Sequence, residues 1–202
     1  MAQACGTPTA AASAVEIPSI PGASFAFGPM AVGSFLVALA AMTGGVTAEM
    51  VCPGSPAHFF HTGMRITTTA RATCATVEAE AKARASGQYG QWHDPHNNGT
   101  YALASFGGTV AFTRLTGDKK YTDKLVFTLT PKGGECLIEA CSESQVTSGL
   151  DMGTNYCNLK MLYCGTSDGC RPVKSDFTAY GEETQKMAQA SVSMSSCLKT
   201  VS

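Results

Sequence analysis

Residues 100–115 read TYALASFGGTVAFTRL. Two seven-residue runs rich in β-branched and aromatic side chains flank Gly107-Gly108. Such runs around a two-residue glycine loop signal a β-hairpin. From this hairpin a sheet can be followed downstream. The stretch TGDKKYTD, residues 116–123, is a second turn. After it, Leu125, Phe127 and Leu129 alternate with Val126, Thr128 and Thr130, which predicts a strand over 124–130. Pro131 to Gly134 turns the chain again into a strand over 135–141. The expected unit is a four-strand antiparallel meander with one face to bury.

The cover for that face is expected upstream. Residues 67–86 are Ala-rich and stop at Gly87, a helix terminator. Ile66, Ala70, Cys74, Val77 and Ala81 fall on one apolar face at helical spacing. Glu78, Glu80, Lys82 and Arg84 read as its solvated side. Downstream, 142–176 is loop-rich with clustered cysteines. Over 187–198, Ala188, Ala190, Val192 and Met194 alternate with polar residues and predict an edge strand, a helix from Glu182 being the alternative. The fold class is therefore α+β.

Charge divides the chain. Before Arg65 there is no Lys or Arg, and only Glu16 and Glu49 are acidic. All 14 basic residues lie from Arg65 onward, with 13 of the 15 acidic ones. Charged residues make up 14% of the 202, about half the share usual in a soluble domain. The net charge of −1, with no Lys/Arg stripe, gives no electrostatic footprint for nucleic acid.

Residues 17–48 carry no charge at all. Pro29 suits the first turn of a helix, and a helix over 29–50 would be roughly 33 Å long. That matches a hydrocarbon core of about 30 Å. Ser34, Ala38, Ala41 and Gly45 share one face, where small residues admit a neighbouring helix closely. A core helix would show a polar face. A signal peptide has a shorter apolar region after positive charge, although Thr47-Ala48-Glu49 offers a cleavage region. The expected organisation is an extended N-terminal segment (1–24), a transmembrane helix (25–50), an interface linker (51–66) and a Cys-rich domain (67–202).

The nine cysteines fit this division. Cys5 precedes the hydrophobic segment. Cys52, Cys74, Cys136, Cys141, Cys157, Cys164, Cys170 and Cys197 follow it and read as a disulfide framework in an oxidising compartment. Their pairing is open among about 105 arrangements. Cys5, on the reducing side, is expected as a free thiol. Zinc would need short Cys pairs. Cys136 and Cys141 have no second such pair after them, and no C-x-x-C redox motif occurs.

Two histidine clusters are the remaining candidates. His58 and His61 in CPGSPAHFFHTGMR, residues 52–65, could ligate a metal or chlorophyll magnesium; an interfacial anchor is the simpler reading. His93, Asp94 and His96 in QWHDPHNNGT resemble a metal cluster on paper, but Pro95 breaks the geometry and such loops are usually turn formers. Asp118 and Asp123 read as turn residues rather than calcium ligands. Asn98-Gly99-Thr100 is a glycosylation sequon. No nucleophile–base motif, metal-protease helix, phosphate loop or dinucleotide fingerprint is present, so no catalytic residues and no enzyme are expected.

TNYCNLKMLYCGTSDGCRPVKSDFT, residues 154–178, is the most individual stretch. With HNNGTYALASFGG, LTGDKKYTDKLVFTL and ECLIEACSESQV it resembles a family of Cys-rich proteins from algae with red-lineage plastids, over residues 92–198. One span followed by this domain is similar to antenna-associated subunits of cryptophyte photosystem I supercomplexes. The resemblance implies a structural subunit of the plastid thylakoid membrane, with Cys5 in the stroma and the Cys-rich domain in the lumen. Its implied partners are chlorophyll a/c antenna proteins, photosystem I core subunits and membrane lipid. It implies no resident cofactor, only peripheral contact with chlorophyll or carotenoid. From the lack of a basic, Ser-rich transit peptide, the numbering is expected to start near a mature end.

Overall fold

The computed structural model describes residues 52–57, 60–87, 92–106 and 109–199. The predicted span, Cys5, Ser34, Ala38, Ala41, Gly45 and His58 lie outside the described residues. Among those described, no helix is long and apolar enough to cross a membrane.

The architecture is α+β: six antiparallel strands with helices on one face. The strands are β1 (Gly63–Ala70), β2 (Thr100–Phe106), β3 (Thr109–Leu115), β4 (Thr122–Lys132), β5 (Glu135–Ser144) and β6 (Ala179–Met187). Their order is β2-β3-β4-β5-β1-β6. The four-strand meander is present as expected, with register such as Phe112 opposite Leu125 and Phe127 opposite Ala140. β4 and β5 run longer than predicted, because strands flanked on both sides continue as long as each neighbour supplies ladder partners.

Two strands were not expected. Residues 63–70 are a strand and not the start of a helix, so the sheet takes in part of the 51–66 linker. The run Ile66-Thr67-Thr68-Thr69 explains this, since β-branched side chains favour the pleated surface. The helix α1 spans Cys74–Ala85 only and is capped by Thr73, whose hydroxyl accepts from the Thr76 N–H. At the other end, β6 occupies Ala179–Met187, and the strand predicted over 187–198 is absent beyond Met187. The predicted helix from Glu182 is absent too. β6 is an edge strand with a largely exposed, charged sequence, AYGEETQKM, which discourages pairing with a second sheet. Beyond it, Ser193 caps a four-residue helix, α3 (Met194–Cys197).

The region 142–176 also holds more structure than a loop. Helix α2 (Thr154–Lys160) is buried along most of its length. α1 and α2 cover one face of the sheet. There Met64, Ile66, Phe112, Leu125 and Ile138 are fully buried, with Val77, Ala81, Leu159 and Leu162 packed on them. α2 also anchors the edge strand. The Tyr156 and Tyr163 hydroxyls and Lys160 Nζ donate to Glu182 at 2.8, 2.9 and 2.9 Å. Burial alone would raise the Glu182 carboxyl; the lysine and the two phenols outweigh it and hold it low.

All eight described cysteines are paired: Cys52–Cys141, Cys74–Cys136, Cys157–Cys197 and Cys164–Cys170. Cys74–Cys136 ties α1 to β5, and Cys157–Cys197 ties α2 to α3. Cys141 alternates to the opposite face from Ala140 and holds residue 52 there. By loop length, the chain-entropy model gives about 4 kcal/mol for Cys157–Cys197, which closes a 40-residue separation, and about 2 kcal/mol for the six-residue Cys164–Cys170 loop. We therefore expect the Cys157→Ala/Cys197→Ala double variant to unfold at clearly lower denaturant than Cys164→Ala/Cys170→Ala. Equal midpoints would contradict loop closure as the source.

Candidate functional site

The helix-covered face of the sheet changes character along its strands. Toward Cys136 it is apolar. Toward Ser144 it becomes polar, with Arg114, Asp123, Ser142 and Ser144 all buried. Their partners come from α2, where Asn155 and Asn158 are fully buried. Asn158 Nδ2 donates to Asp123 Oδ2 at 2.8 Å and to Ser142 Oγ at 3.1 Å. Ser144 Oγ donates to Asp123 Oδ1 at 2.7 Å, and Ser142 Oγ to Asn155 Oδ1 at 2.7 Å. Asp151 accepts from the Gly153 N–H, the Asn155 N–H and Asn155 Nδ2, which fixes the entry to α2.

Beside this network lies a second one, built on Asp94 and Arg114. Both side chains are fully buried. Arg114 donates from Nε at 2.8 Å and Nη2 at 2.5 Å to Asp94 Oδ2. Nη2 also reaches His96 O and Asn97 Oδ1. The Tyr101 hydroxyl donates to Asp94 Oδ2 and Asn158 O at 3.2 and 3.1 Å. Burial, then the Asp94 charge, push the Tyr101 phenol well up, so it stays a neutral donor. Burial opposes the Arg114 cation, but the Asp94 carboxylate outweighs it and keeps the guanidinium charged.

These bonds lash the 93–99 loop to β3. Space there is tight. A Cβ on Gly99 would come within 2.3 Å of Arg114 Cζ, and one on Gly117 within 2.4 Å of Asn97 O. Glycine is therefore required at both positions. Gly117 N donates to Asn97 O at 3.0 Å and joins the β3–β4 turn to the loop.

Where the 93–99 loop, the 116–121 turn and the 145–153 loop meet, they enclose a cavity of about 740 Å³. Asp123, Ser144 and Asp151 line its floor, and Tyr121, Leu150 and Met152 its rim. Asn97, Lys119 and Met152 adopt positive φ of 47°, 61° and 47°, so each of the three loops holds a left-handed residue. His96 is a wall. Its Nδ1 lies 3.2 Å from Ser196 O and its Nε2 3.2 Å from Thr154 Oγ1. A carbonyl only accepts, so Nδ1 carries a proton.

The sequence candidates fall as follows. Asp94 and His96 are brought together, but as a structural pair: Asp94 Oδ1 accepts the His96 N–H at 2.8 Å, and its other oxygen faces Arg114. His93 is exposed. Asp118 is a turn residue, as read, accepting from Thr116 Oγ1 and the Lys120 N–H. Asp123 is not; it is a buried network member. His61 Nδ1 contacts Ala57 O at 3.0 Å and Nε2 lies 3.5 Å from Glu143 Oε1. Among the described residues, one group of three potential metal-ligand atoms converges, Cys52, Cys141 and Glu143, and its two sulfurs are joined in a disulfide.

Glu80 and Arg84, read as solvent-facing, are buried. The Glu80 carboxylate accepts the N–H groups of Val173, Lys174 and Ser175 at 2.7, 2.6 and 2.7 Å and Arg84 Nε at 2.7 Å. Arg84 also donates to Met161 O and Cys164 O. On the same helix Glu78 and Lys82 remain a surface pair. Sequence reasoning missed the cavity altogether. The polar network beside it had one local signal, Asn155 and Asn158, three apart on a short helix with apolar neighbours.

No family model, curated protein or solved structure matches this chain.

Proposed function

We propose that this chain is a non-catalytic structural subunit, a disulfide-stapled α+β domain carried on a single membrane-spanning segment. In this reading it braces chlorophyll a/c antenna proteins against a photosystem I core, with the domain in the thylakoid lumen and residues 1–24 in the stroma. The observation that carries it is the cysteine division. The eight cysteines after the uncharged segment pair among themselves, which leaves Cys5 as the odd thiol on the other side of that segment. The buried charges add support, since Asp94, Arg114, Glu80 and Arg84 are engaged in holding loops to the sheet.

Mass spectrometry of the native protein from detergent-solubilised membranes tests this. The reading expects an intact 1–50 segment, one free thiol at Cys5 and co-migration with chlorophyll proteins. An N-terminus near Glu49 on a soluble, solitary protein overturns it. The small-residue face makes a narrower prediction. Ala41→Trp is expected to lower incorporation into the pigment complex while leaving the domain's thermal transition unchanged. Normal incorporation would remove Ser34, Ala38, Ala41 and Gly45 as a close-packed contact.

A second reading is a secreted or free-lumenal binding module released by cleavage near Ala48. The cavity on the polar end of the sheet favours it.

A further inference from the structure

We infer that the cavity beside Tyr121 is a binding site for a neutral polyhydroxylated ligand, a pyranose sugar. Its volume of about 740 Å³ is within the usual range for small-molecule sites. Three aspartates line it, Asp118, Asp123 and Asp151, against one Lys or Arg, Lys199. That balance disfavours an anion. The carboxylates are dispersed: among the described residues, no three carboxylate, imidazole or thiol atoms converge at this cavity as a bound cation would require. An aliphatic ligand would leave the Asn97 NH₂ group and the remaining lone pairs of the Asp123 and Asp151 carboxylates unpaired.

What fits is a ligand whose groups both donate and accept, with one apolar face. Asp123 and Asp151 are held by internal bonds and present acceptor oxygens with remaining lone pairs. Asn97 gives its Oδ1 to Arg114, and its NH₂ group has no partner among the described residues. The hydroxyl of Tyr121 likewise makes no bond there. Its ring stands 45% exposed at the rim, with Leu150 at 76% and Met152 at 84%. Exposed apolar side chains around a polar floor match the C–H face and hydroxyl edge of a sugar ring. The loops are already held by Arg114, Gly117 and Asp151, so binding need not order them. The inference does not depend on which reading of the whole chain holds.

Two sources present this chemistry, a free saccharide and the head of a glycolipid, and one experiment separates them. Full-length protein in a detergent without a sugar head is examined by saturation-transfer NMR against methyl glucoside, methyl galactoside and sorbitol. The same protein is sedimented with phosphatidylcholine vesicles, plain or containing a monogalactosyl lipid. Transfer to a methyl pyranoside supports a free sugar; selective retention on the galactosyl vesicles supports the lipid head. In either arm Tyr121→Ala should weaken binding about tenfold, the loss of one aromatic face. Leu103→Ala, exposed on β2 away from the cavity, should change nothing. Both variants keep backbone bonds and should melt like the parent. Absence of transfer and of selective retention overturns the inference, as does binding indifferent to Tyr121→Ala.

Discussion

Arg114→Met is expected to destabilise the domain by about 3–5 kcal/mol, among the largest effects of any single substitution. The guanidinium and Asp94 are both fully buried, so the variant leaves a desolvated carboxylate with only the Tyr101 hydroxyl and the His96 N–H as donors. The cost comes from that stranded charge and not from the worth of the pair. Two consequences separate this from simple loss of packing. Adding Asp94→Asn to Arg114→Met should recover a substantial part of the stability. Hydrogen exchange in residues 93–99 should also rise, since Arg114 is what holds His96 O and Asn97 Oδ1. Denaturant unfolding of both variants checks this; a loss below about 1 kcal/mol for the single variant would mean the pair is effectively hydrated.

Glu80→Ala is the second large effect, again about 3–5 kcal/mol. It strands the Arg84 cation and leaves the N–H groups of Val173, Lys174 and Ser175 without their acceptor. The pH dependence follows from the same contacts. Burial alone would raise the Glu80 carboxyl, but the three backbone donors and Arg84 outweigh it and hold it below its ordinary value of 4.5. A group depressed in the folded state stabilises above its unfolded pKa and loses that contribution as pH falls through the folded one. Parent stability should therefore decline below about pH 4.5, and the decline should be shallower in Glu80→Gln. Parallel acid titrations of the two proteins would contradict this assignment.

How much of this is legible in the sequence depends on the distance over which each feature is determined. The β2–β3–β4–β5 meander is legible because alternation and Gly-Gly turns act within a few residues. β1 is hidden by coincidence: Ile66 and Ala70 are spaced to continue the helical phase of Val77 and Ala81, and the β-branched run 66–69 was the better signal. β6 carries little alternation because most of it is solvated. The Ala/Ser alternation over 187–198 comes from small residues that bury little on either side. Glu80 and Arg84 look like surface residues because i, i+4 pairs usually are; what buries them is the chain 93 residues downstream. The cavity is the extreme case. Its walls are three loops brought together by Arg114, Gly117 and Asp151, and nothing in any one of them announces the others.

The Cys52–Cys141 bond has a mechanical meaning. Cys52 is the first described residue after the uncharged segment, and Cys141 sits in β5, paired to Arg65 of β1 on one side and Val126 of β4 on the other. A pull on the chain upstream of residue 52 therefore bypasses residues 53–62 and enters at the interior of the sheet. From β5 the load divides between two ladders instead of peeling one edge. A domain tethered in this way resists traction at its root, and the disulfide acts as its towing point.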